Sequence, residues 1–94
     1  EGIIEIEADW KQVQTNNNYN LEIRIKQLQK GYDIYKFPMD IKLIYDKHDD
    51  YTVSTVYVSS RDTVINIQSK KKPAKIILDP DKWFLANIKM VNDN

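Results

Sequence analysis

In one short run after another, apolar residues fall on every second position. In "IIEIEADW" Ile4, Ile6, Ala8 and Trp10 alternate with Glu5, Glu7 and Asp9, and in "LEIRIKQLQ" Leu21, Ile23, Ile25 and Gln27 share a face opposite Glu22, Arg24 and Lys26. "KFPMDIKLIY" repeats the pattern through Phe37, Met39, Ile41, Leu43 and Tyr45. A period of two belongs to a strand with one buried face, and no segment carries the i, i+3, i+4, i+7 spacing of an amphipathic helix. "DKWFLANIKM" has room for a single helical turn before its strand. The expected fold is all-β: an immunoglobulin-like antiparallel β-sandwich of about seven short strands, with a small barrel as the alternative.

The remaining strands follow from composition. "YTVSTVYVSS" and "TVINIQS" are rich in the Val, Ile, Thr and Tyr that suit a pleated surface, and "RD" between them predicts a hairpin. "AKIIL" places Ala74, Ile76 and Leu78 on one side, and "WFLANIKM" closes the chain. The Asn-rich "KQVQTNNNYN" predicts a loop or wide turn, and "KGYD", "DKHDD", "KKKP" and "DPDK" mark the other connections. If the first two strands pair antiparallel, the acidic stripe lies beside Arg24 and Lys26. Pro38 is awkward inside a strand because it has no N–H to give a ladder, so it is expected at a sheet edge, a bulge or a strand start, most simply where the third strand begins at an edge. Gln27 points inward, and its buried amide must find partners among backbone groups near Pro38.

The 94 residues suit one β-sandwich domain, 1–94. Fourteen basic and fourteen acidic residues leave no net charge, which gives no pull toward nucleic acid. No run approaches the ~20 apolar residues of a membrane-spanning helix, so a soluble domain is expected. There is no cysteine, hence no disulfide framework and no thiolate metal site. The chain opens "EGIIEIEADW" without an initiator Met or a signal peptide, and is expected to be the C-terminal piece of a longer polypeptide.

Residues with chemical potential have plainer readings. His48, the single histidine, sits in a polar tip with Asp46, Asp49 and Asp50, whose spacing fits no calcium loop. Asp79 and Asp81 flank Pro80 as turn formers, and Glu5, Glu7 and Asp9 line a solvated strand face. Lys70, Lys71 and Lys72 lack the interleaved aromatics of a nucleic-acid platform. For nucleophilic chemistry there is no Cys and no second His, and a serine without a base is inert. No catalytic, metal-binding or cofactor-binding residue is therefore expected. Trp10 shares the core face, whereas Trp83, Phe84 and Leu85 are consecutive and must point bulky groups to both sides. They are the expected interdomain contact.

One ordered set of motifs is more specific than its parts. A strand ending in Gln27-x-Gln29, then Phe37-Pro38-Met39, then Lys72-Pro73 leading through Leu78 to Asp79-Pro80, resembles the β-sandwich domain that follows the catalytic domain in aminopeptidase N-type zinc metallopeptidases. The resemblance runs from about Trp10 to Leu85. It implies a non-catalytic accessory domain whose partner is the catalytic domain of the same polypeptide. In that family zinc is held upstream, in a His-Glu-x-x-His helix that this chain lacks. A stand-alone carbohydrate- or protein-binding immunoglobulin-like module is the alternative.

Overall fold

The computed structural model describes residues 4–28, 34–47, 49–81 and 86–92. Among these described residues seven strands form: β1 (Ile4–Thr15), β2 (Asn18–Gln27), β3 (Phe37–Ile44), β4 (Tyr51–Val58), β5 (Asp62–Ser69), β6 (Lys75–Leu78) and β7 (Ala86–Asn92). They make a four-stranded sheet in the order β5-β2-β1-β7 and a three-stranded sheet in the order β4-β3-β6. The alternating residues converge as expected. Ile6, Ala8, Trp10, Leu21, Ile23, Ile25 and Ile65 of the first sheet share one buried cluster with Phe37, Met39, Ile41, Leu43, Val58, Ile76 and Leu78 of the second. The fold is thus an all-β sandwich, with Trp10 in its core and only 1% exposed.

Three features depart from the sequence reading. First, β1 continues to Thr15 and turns into β2 through Asn16 and Asn17 alone. Asn16 has φ 55°, the positive value that a two-residue hairpin turn requires and that asparagine tolerates. Beyond Trp10 the inward positions are Gln12 and Gln14, so the alternation loses its apolar contrast while the ladder continues. Second, β4 and β5 do not form a hairpin: β4 pairs with β3, and β5 pairs with β2 in the other sheet. The Ser59–Arg61 connection crosses between the layers. Third, β7 runs parallel to β1 along Ile4–Ala8, with a register shift at Ala8/Asp9, while every other pairing is antiparallel.

Pro38 lies near a strand start, but β3 is the central strand of its sheet, not an edge. The fold accommodates it on one side. Asp79 N–H donates to Asp40 O at 2.8 Å, so the backbone groups of Asp40, and by alternation of Pro38, point toward β6. The β6 ladder ends at Leu78, opposite Ile41, and at Asp79 the chain swings into a turn with φ 49°. No β6 residue stands opposite Pro38, so its missing N–H costs the ladder nothing.

Candidate functional site

Several of the residues that carried the family resemblance fall at the joints of the fold, and others in its core. Gln27 ends β2 with its side chain 1% exposed. Its Nε2 donates to Tyr35 O at 2.8 Å and to Ser60 O at 3.1 Å, while its Oε1 accepts from Tyr35 N–H at 3.0 Å. Its main chain does the same: Gln27 N–H donates to Arg61 O at 2.9 Å, and Arg61 Nη1 donates to Gln27 O at 3.2 Å. One residue thus binds the end of β2, the approach to β3 and the β4–β5 crossing. The amide orientation is fixed by chemistry, since turning it over would set its oxygen against two carbonyls. The expectation that Gln27 serves open backbone near Pro38 holds in outline; the groups served are at Tyr35 and Ser60.

The other motif residues are likewise placed. Phe37, Met39 and Leu78 are core, Pro73 is fully buried at the entry to β6, and Asp79 is buried in the positive-φ turn that Pro80 continues. Gln29, His48, Trp83, Phe84 and Leu85 lie outside the described residues, and with them the proposed interdomain contact. Sequence alone could not assign Gln27 its three partners, because they come from two distant loops.

A cleft of about 580 Å³ opens at one end of the sandwich, lined by Gln12, Tyr45, Asp46, Asp50, Lys71, Lys72, Pro73 and Ala74. Its floor is a latch between loops. Lys71 Nζ meets both Asp50 carboxylate oxygens at 2.9 and 3.0 Å and lies 4.7 Å from the centre of the Tyr45 ring. Ser69 Oγ sits 2.7 Å from Lys71 O and 3.2 Å from Tyr45 Oη, which in turn is 3.0 Å from Thr52 Oγ1. Lys71 lies exposed in its loop and is paired all the same, with a partner too distant in sequence for local patterning to reveal. Ser69 has a phenol and backbone groups around it, not a base. Among the described residues no group of three His, Cys, Asp or Glu side chains converges to hold a metal.

The outer face of the four-stranded sheet bears the predicted charge pairing. Asp9 stands opposite Arg24 and Glu7 opposite Lys26. Arg24 Nε nonetheless reaches Glu22 at 3.3 Å, and Lys11 Nζ approaches the same carboxylate at 3.5 Å. Desolvation raises the Glu22 pKa, but the Arg24 hydrogen bond and the charges of Lys11 and Arg24 outweigh it, so the carboxyl lies below its ordinary value. Beside it runs a shallow groove of about 240 Å³ lined by both signs of charge.

The outer face of the three-stranded sheet differs in kind. Tyr51, Val53 and Tyr57 of β4 are 48%, 48% and 61% exposed. Lys42 Nζ lies 4.2 Å from the Tyr51 ring centre, and Thr55 Oγ1 donates to Asp40 at 2.6 Å. Among the described residues no helix is long and apolar enough to cross a membrane. No protein-family model matches the chain, and no curated protein or solved structure matches it.

Proposed function

We propose that the chain is a non-catalytic accessory β-sandwich that packs beside the catalytic domain of an aminopeptidase N-type zinc metallopeptidase. The observation that carries this reading is the use to which the motif residues are put. Gln27 ties the β4–β5 crossing, Phe37 packs in the core, Pro38 stands in β3 beyond the end of β6, and Pro73, Asp79 and Pro80 shape the entry to β6 and the turn after it, all of it architectural work. Zinc and the general-base glutamate belong, on this reading, to the polypeptide upstream of Glu1.

A second reading, a stand-alone carbohydrate- or protein-binding module, draws on the exposed Tyr51, Val53 and Tyr57. One experiment separates them. Metal analysis and hydrolysis of aminoacyl substrates are measured on this chain and on the longer natural polypeptide. The expected result is that zinc and hydrolysis accompany an upstream segment with a His-Glu-x-x-His helix, while the isolated chain shows neither. One tightly held zinc per isolated chain, or an upstream segment without that helix, overturns the reading.

A further inference from the structure

Natural sheets protect their edge strands with charges, prolines, bulges or extreme shortness, because a bare edge pairs with any strand that reaches it. β6 is short and carries Lys75, β5 begins with Asp62, and β7 carries Lys89. β4 is different. Its eight residues, "YTVSTVYV", contain no charge, proline or glycine, and among the described residues no strand pairs with its outer side.

The ladder determines which of its backbone groups are open. Tyr45 N–H donates to Asp50 O at 2.9 Å, which fixes the phase of the β3–β4 pairing. By alternation Thr52, Ser54, Val56 and Val58 direct their N–H and C=O groups at β3, opposite Leu43, Ile41, Met39 and Phe37. Tyr51, Val53, Thr55 and Tyr57 direct theirs outward. The side chains of these same four residues lie on the solvent face of the sheet, and all four are exposed.

These two facts make the edge complementary to itself. We propose that β4 pairs antiparallel with β4 of a second copy about a two-fold axis at Ser54, giving a continuous six-stranded sheet. In that register Tyr51 stands opposite Tyr57 of the other copy and Val53 opposite its Thr55. Each of the four residues donates once and accepts once, so four pairs supply eight backbone hydrogen bonds and no outward group from Tyr51 to Tyr57 is left over. Tyrosine meets tyrosine and valine meets threonine, cross-strand pairs of the favourable kind, and no like charges oppose one another. A two-fold contact of this sort is closed, so it ends at the dimer.

The test spares the β3–β4 ladder, because among the described residues no strand pairs with the outward N–H groups of β4. Sedimentation equilibrium of the whole chain is measured over a concentration series beside Val53→Lys and Val53→Pro. The wild type is expected to move from 11.1 kDa to twice that mass as concentration rises. Both variants are expected to remain at the monomer mass while keeping the wild-type circular dichroism. Val53→Lys places charge against the facing strand, and Val53→Pro deletes an outward N–H. Should the proline disturb folding, the lysine at this exposed position still decides the matter. A wild type that stays monomeric throughout overturns the proposal, as does a dimer that survives both substitutions or open-ended assembly into larger species. A monomer whose β4 amides shift with an added peptide of residues 51–58 would assign the edge to a foreign strand and also overturn it.

Discussion

Replacing Gln27 with Leu is expected to cost on the order of 3 kcal/mol or more, although the two side chains are similar in size and the new one is apolar. The substitution strands Tyr35 N–H, Tyr35 C=O and Ser60 C=O, and a buried polar group left without its partner costs roughly 1–3 kcal/mol. Hydrophobic burial of a leucine offsets part of this. It cannot reconnect the three segments. Urea unfolding of the two proteins measures the difference, and a variant within 1 kcal/mol or so of wild type would mean that the loops satisfy themselves with water. Gln27→Glu adds a signed control. The introduced carboxyl faces two carbonyl oxygens, which disfavour its charged form and raise its pKa when folded. Its stability contribution is therefore greatest below the unfolded pKa and is lost as pH rises, so the variant should recover part of its stability in acid.

Trp10→Ala is the second large effect, expected at about 3–5 kcal/mol. The indole is 1% exposed, and it belongs to the cluster that joins both sheets. A domain has a total stability of about 5–15 kcal/mol, and one this small lies toward the low end, so the variant should lose a large share of its stability. Near-native stability would mean that the Ile6, Ala8, Trp10 face looks outward. Ile25→Ala, a smaller deletion from the same cluster, should fall lower in the range of about 2–5 kcal/mol.

What the sequence disclosed, and what it withheld, follows from the range of the forces involved. Burial has a local signature, so the inward residues of β1, β2, β3 and β6 could be read from alternation alone, and Ile6, Ile23, Ile41 and Leu78 lie where that alternation places them. Pairing has no such signature. The apolar rhythm of β4 and β5 is the same whether they face each other or lie in opposite sheets, and only the crossing at Ser59–Arg61 distinguishes the cases. The parallel β1–β7 pairing and the Lys71–Asp50 latch were hidden for the same reason. Gln27 was legible by half: its inward position declared that it needed partners, but the partners come from loops whose course no periodicity records. Pro38 was read correctly as a strand-start residue and wrongly as an edge residue, since the early end of β6 beside a central strand is a fact of topology.

Two sheets enclose one interior, and the roles of Trp10 and Gln27 both follow from that. Methyl–methyl NOEs test it without mutation. The predicted result is a network linking Leu21, Ile23 and Ile25 of the larger sheet to Met39, Ile41 and Leu43 of the smaller one. NOEs confined to neighbours within each sheet would contradict it.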